Sequence, residues 1–190
     1  MRILMLGNSF IFTNDLPQML AELTGAEVVQ HTRGGARLSE QLNPATKLGA
    51  LTLSALSGER WDYVVLQEMS NGPITSPKSF YSSVQRLCEQ IRANGAVPVL
   101  YATWAYRRGS DQLAAKGWDY DEMSRALYDA YHKAAEDNGA FIADVGRKFY
   151  ELADAEELYA DDGVHPNERG SHIAAEVIAD VIKRHEEGEI

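Results

Sequence analysis

Several things are scarce in this chain, and each scarcity excludes something. Cys88 is the only cysteine in 190 residues, so no intrachain disulfide can form, and the lone thiol fits a reducing cytosol. No apolar run approaches the roughly 20 residues that a membrane-spanning helix needs. Met1-Arg2-Ile3 leads straight into a strand-like segment without a signal-peptide layout. A cytoplasmic location with no membrane partner is therefore expected. Positive charge is also in deficit: 18 Lys and Arg stand against 28 Asp and Glu, a formal charge of −10, and the pI is near 4.9. That balance speaks against nucleic acid as a partner. Phosphate-loop and dinucleotide fingerprints are absent. The loop after the first apolar run is too apolar for an FMN binder, and a receiver domain's acidic pair is missing. No linker or internal repeat interrupts the chain, and 45% hydrophobic content suffices for a full core, so a single domain over 1–190 is expected.

What is present alternates. Ile3–Leu6, Glu27–His31, Tyr63–Glu68, Val97–Thr103 and Phe141–Asp144 read as strands, several of them apolar almost throughout, as in parallel sheets covered on both faces. Between them, helical stripes run through Phe80, Val84, Leu87, Cys88 and Ile91, then Met123, Leu127, Ala130, Tyr131 and Ala134, then Ile173, Val177, Ile178, Val181 and Ile182. Cys88 falls on the first of these and reads as core. Asn14-Asp15-Leu16-Pro17 resembles a cap with an early proline, opening a helix that turns Leu16, Met19, Leu20 and Leu23 inward. Such β-α-β alternation predicts a doubly wound parallel sheet. Trp104–Asp119 lacks a clear period and reads as a lid or rim, with a short helix possible over Gln112–Lys116. In it, Trp104 and Trp118 either stack on a sugar or anchor the loop, and Arg107 and Arg108 are either solvated or a substrate clamp.

The chemistry concentrates at two places. Gly7-Asn8-Ser9-Phe10 follows the first strand, where open α/β sheets place their ligand crevices. Near the other end, Asp162-Gly163-Val164-His165-Pro166 offers an acid and a histidine three residues apart. Ser9 as nucleophile, His165 as base and Asp162 as the orienting carboxylate would make a serine hydrolase. Asp161 rivals Asp162. Pro166 biases His165 toward extended backbone and suits the first turn of the last helix. Of the other histidines, only His31, ending the second strand, comes near the crevice. A metal held by Asp161, Asp162 and His165 lacks a second ligand cluster, so neither metal nor cofactor is expected. Gly34-Gly35-Ala36 follows the second strand, either as an ordinary turn or as a place where a main-chain amide approaches a ligand.

Gly7-Asn8-Ser9-Phe10, Gly34-Gly35, Val64-Val65-Leu66-Gln67-Glu68 and Asp162-Gly163-Val164-His165-Pro166 occur in an order that resembles the SGNH/GDSL hydrolase superfamily. The resemblance implies a flavodoxin-like three-layer α/β/α sandwich around a five-stranded parallel sheet and a Ser-His-Asp esterase mechanism. Asn8 stands where the family usually has aspartate, which removes no catalytic group. The resemblance also implies an oxyanion hole made from the Ser9 N–H, a glycine N–H, here Gly35, and a side-chain amide. Gln67 is favoured for the amide, as in sialate O-acetylesterase-like branches, with Asn71 of Met69-Ser70-Asn71-Gly72 as the alternative. The expected substrate is an acetyl or other short acyl ester of a carbohydrate or small metabolite. A thioesterase or lysophospholipase would use the same triad, and a non-catalytic flavodoxin-like binding module is the reading from another class.

Overall fold

The computed structural model describes residues 1–190. Five strands, β1 (Arg2–Gly7), β2 (Glu27–Thr32), β3 (Tyr63–Leu66), β4 (Val97–Tyr101) and β5 (Phe141–Ala143), form one parallel sheet in the order β2-β1-β3-β4-β5. Ten helices connect them: α1 (Ser9–Phe12), α2 (Leu16–Thr24), α3 (Leu38–Gln41), α4 (Lys47–Gly58), α5 (Gly72–Thr75), α6 (Pro77–Asn94), α7 (Asp111–Lys116), α8 (Tyr120–Asn138), α9 (Val145–Leu152) and α10 (Glu168–Glu186). None is long and apolar enough to cross a membrane.

The period-2 geometry of each strand divides its side chains between two cores. Leu4, Leu6, Val64, Leu66 and Leu100 pack with α3, α4, α6, α7 and α8 on one face. Ile3, Met5, Tyr63, Val65, Val99 and Tyr101 pack with α1, α2, α9 and α10 on the other. The result is the three-layer α/β/α sandwich. Each fully buried Leu or Ile contributes about 1.5–3 kcal/mol, and the central strands are buried on both faces, so they hold the loops at their ends rigidly. Cys88 lies fully buried in the first core, as its stripe requires.

Strand order sets the position of the site. The chain leaves β1 toward β2 on one side, then returns to β3 and continues through β4 to β5 on the other. The crevice between the C-terminal ends of β1 and β3 is therefore the topological switch point. Leu6 pairs with Leu66, and Gly7 with Thr32, so the residues after β1, β2 and β3 emerge side by side.

Several local expectations need correction. Leu23 is 47% exposed, because α2 presents only Leu16 and Leu20 fully to the core. Asn14 and Asp15 do not cap α2 with their side chains; both take left-handed backbone, and Asn14 donates instead to the Pro166 carbonyl and Ser171 Oγ. Gln67 and Glu68 lie beyond β3, Thr103 beyond β4, and Asp144 caps α9 by accepting from the Arg147 N–H. Pro166 precedes the cap of α10, which is Asn167, so it shapes the entry to that helix and not its first turn. The helical excursion in the Trp104–Asp119 loop is α7. Trp104, Ala105 and Tyr106 are buried, so the loop is anchored at its start.

Candidate active site

Ser9 is held by its neighbours on β1 and β3. A Cβ on Gly7 would fall 2.5 Å from Gln67 Oε1 and 2.7 Å from Ile11 Cδ1, so only glycine lets the two strand ends come together. The Asn8 N–H donates to Gln67 Oε1 at 3.0 Å, and Asn8 Nδ2 donates to the Ala36 carbonyl at 3.0 Å. Asn8 Oδ1 accepts from the Phe10 N–H, which starts α1. An ionised aspartate could not make the bond to Ala36, because it has no donor. That gives Asn8 a physical reason.

Ser9 Oγ lies 2.8 Å from His165 Nε2, and His165 Nδ1 lies 2.5 Å from Asp162 Oδ2. Asp162 Oδ1 also accepts from the main-chain N–H groups of Val164 and His165, both at 2.9 Å. Partial burial works against ionising Asp162, but His165 and these two N–H groups outweigh it, and its pKa lies below its ordinary value. An ionised Asp162 accepts a hydrogen bond from Nδ1–H, which leaves the Nε2 lone pair facing the serine hydroxyl. The Asp161 side chain makes no hydrogen bond to the imidazole; only its carbonyl is engaged, by Arg107 Nη2 at 3.4 Å.

The turn carrying Asp162 and His165 is pinned from outside. Trp104 Nε1 donates to the Val164 carbonyl at 3.0 Å, the Arg107 N–H to the Gly163 carbonyl at 2.7 Å, and Tyr159 Oη to the Ala105 carbonyl at 2.8 Å. Trp104 stacks between Phe149 and Phe10, with centroids at 4.0 and 4.6 Å, and Phe10 meets the His165 ring edge-on at 5.5 Å. Trp104 is therefore a buried anchor and not a sugar platform. Arg107 is paired with Glu157 and Arg108 with Asp121.

Gln67 and Asn71, the two amides weighed for the oxyanion hole, differ in burial, and that difference favours Asn71. Gln67 is fully buried; its Oε1 is taken by Asn8, and its Nε2 donates to the Glu68 carbonyl. Asn71 retains some exposure, at 8%. Its Nδ2 donates to Tyr106 Oη at 2.9 Å and its Oδ1 accepts from Thr75 Oγ1 at 3.2 Å, which fixes the amide and leaves one N–H unused. Gly35 is exposed and takes left-handed backbone (φ 68°), where glycine is unstrained, and a Cβ there would meet nothing within 4 Å.

The model of the GDSL-like lipase/acylhydrolase family matches residues 7–173. The chain belongs to that family. A protein from Slackia heliotrinireducens, provisionally described as an SGNH hydrolase, is 53% identical, with a TM-score of 0.93 over 96% of this chain and 98% of the other. A DUF4886 family protein from Bacteroides uniformis is 22% identical, with a TM-score of 0.77 over 97% of this chain and 83% of the other. The acetyl xylan esterase AlAXEase is 17% identical, with a TM-score of 0.71 over 96% of this chain and all (100%) of the other. These last two share the fold. No curated protein matches the chain.

As a GDSL-like carboxylic ester hydrolase, the molecule contains features its sequence did not announce. His31 stands outside the Ser9–His165–Asp162 chain: Thr52 Oγ1 donates to Gln41 Oε1, so His31 Nδ1–H must donate to Thr52 Oγ1, and Gln41 Nε2 donates to the His31 carbonyl. A cavity of about 280 Å³, lined by Trp104, Asp121, Arg125 and Arg147 among others, includes neither Ser9 nor His165 in its walls. No group of three His, Cys, Asp or Glu side chains converges as metal ligands would. Glu68, just beyond the end of β3, is 2% exposed. Nothing in the spacing of Gln67-Glu68-Met69 signals that its carboxylate turns inward between loops.

Proposed function

We propose that this hydrolase is a serine esterase that removes acetyl or other short acyl groups from a carbohydrate or small metabolite, using Ser9, His165 and Asp162. The observation that carries the reading is the continuous hydrogen-bonded chain from Ser9 Oγ through the imidazole to Asp162, at 2.8 and 2.5 Å. Ser9 Oγ attacks the ester carbonyl while its proton passes to His165 Nε2, and Asp162 stabilises the imidazolium. The oxyanion of the tetrahedral intermediate is received by the N–H groups of Ser9 and Gly35 and the free N–H of Asn71. Collapse breaks the bond to the alcohol oxygen, which takes the proton from His165 and leaves acyl-Ser9. Water then attacks, His165 accepts its proton, and the carboxylic acid departs as Ser9 regains its hydrogen.

A short acyl group fits the openness of the centre. The His165 side chain is 36% exposed and that of Asp162 is 43% exposed, so the reacting groups lie at the surface and not at the end of a long acyl tunnel. An exposed centre also suits a bulky alcohol such as a sugar. The test is a series of p-nitrophenyl esters from C2 upward, with Ser9→Ala and Asn71→Ala beside the wild type. Turnover is expected to be greatest on the shortest esters and to vanish in Ser9→Ala. Loss of the Asn71 donor should lower kcat on the order of 10²–10³. A preference for long chains would point to lysophospholipase chemistry, and undiminished turnover in Ser9→Ala would contradict the mechanism.

A further inference from the structure

At the C-terminal edge of the sheet, one buried ionisable group has no part in the steps above. Glu68 Oε1 accepts from the Met69 N–H at 2.7 Å, and Glu68 Oε2 accepts from the Leu38 N–H at 3.2 Å. The first N–H belongs to the loop after β3, two residues before Asn71. The second belongs to the first residue of α3, where the loop after β2 ends, three residues beyond Gly35. We propose that Glu68 is a positioning residue for the oxyanion hole, its carboxylate fixing the separation between the loop that carries Gly35 and the loop that carries Asn71. The proposal rests on the reading of Ser9, Gly35 and Asn71 given above.

Three observations support it. The third loop is tied to the same cluster: Asn8 donates its main-chain N–H to Gln67 and its side-chain amide to the Ala36 carbonyl. Ser9, Gly35 and Asn71 thus lie on three loops joined through consecutive residues, Gln67 and Glu68. Secondly, the fit is tight, since a Cβ on Gly72 would lie 2.7 Å from Glu68 Cγ. Thirdly, the chemistry requires two acceptors. Burial pushes the Glu68 carboxyl up, and the N–H groups of Met69 and Leu38 and the charge of Arg37 oppose that shift. Burying a carboxylate is costly unless its oxygens are satisfied, and here one oxygen receives a donor from the loop after β3 and the other from the start of α3. An amide would offer one acceptor and set its NH₂ against the other N–H.

The experiment measures kcat and KM for Glu68→Gln in the wild-type background and again in Asn71→Ala, with thermal unfolding followed alongside. If Glu68 acts by placing the donors, kcat falls at least about tenfold with KM within about twofold, since the interaction lost belongs to the transition state. In Asn71→Ala, where one placed donor is already gone, the same substitution should cost under about threefold. Equal losses in the two backgrounds, a loss confined to KM, or an unchanged kcat with a lower Tm would each overturn the proposal. Should Glu68→Gln fail to fold, Glu68→Asp keeps the charge but retracts it by one methylene, and the same criteria apply to it. If neither variant folds, Glu68 is a structural residue and the proposal is wrong. Wild-type turnover that survives Ser9→Ala would bring down the underlying reading and the proposal together. Turnover that depends on Ser9, beside an unchanged kcat in Glu68→Gln, would bring down the proposal alone.

Discussion

Adjacent carboxylates at 161 and 162 have different surroundings, and the proposed mechanism divides function between them accordingly. Asp162 meets the imidazole and two main-chain N–H groups, while the Asp161 side chain makes no hydrogen bond. Asp162→Asn should leave the turn in place but present the wrong tautomer to Ser9. In a serine protease this change costs about 10⁴ in kcat, and a loss of at least roughly a hundredfold is expected here. Asp161→Asn should cost little. The comparison is kcat for the two variants at a pH where wild-type activity is flat; a larger loss in Asp161→Asn would show that the wrong carboxylate has been assigned. At this scale the sequence was most legible where a residue's chemistry is nearly unique, as for His165 three residues after an acid. It was least legible for amides. Gln67 and Asn71 look alike in a string, and only the structure shows that the first is fully buried against Asn8 while the second keeps some exposure.

At the level of elements, the strands and the long helices were legible because their apolar residues repeat with a clear period. The element α4 lacked a visible stripe because Leu48, Leu51, Leu53 and Leu56 with intervening alanines make it apolar nearly all round, and α9 is only eight residues long. Gly7 could be read as a turn residue but not as the contact surface for Gln67, since that depends on which strands pair. His31 shows the same limit: its place at the end of the second strand left its surroundings open, and its partner Thr52 is on α4. Its burial lowers its pKa from the ordinary 6.5, with the charge of Glu59 opposing. For such a group the unfolded chain takes up the proton first, so stability present above the unfolded pKa is lost as pH falls through 6.5 toward the lowered folded value. Urea unfolding at several pH values between 7.5 and 5.5, buffer conditions chosen on the order of a unit either side of the free imidazole, checks this. Wild-type stability should drop more on acidification than that of His31→Asn, which keeps a donor near Nδ1 but does not titrate. Parallel curves would mean that His31 does not titrate with a lowered pKa.

Across the whole molecule, the order β2-β1-β3-β4-β5 brings together residues as far apart in the chain as Ser9 and His165, 156 positions. Strand order is what sequence periodicity does not carry; the resemblance to a known family carried the layers and the parallel sheet. Three strand ends supply the proposed nucleophile and oxyanion donors, and the turn before α10 brings His165 and Asp162 across to them. Trp104 and its aromatic stack hold that turn against the sheet. On the proposed mechanism this scaffold activates one hydroxyl, that of Ser9. The most direct test is labelling of the folded wild-type protein with a fluorophosphonate, followed by peptide mapping of the adduct. The account predicts a single phosphonylated residue, Ser9, and no labelling of Ser9→Ala that retains its fold. An adduct on any other residue, or labelling that persists in folded Ser9→Ala, would contradict it.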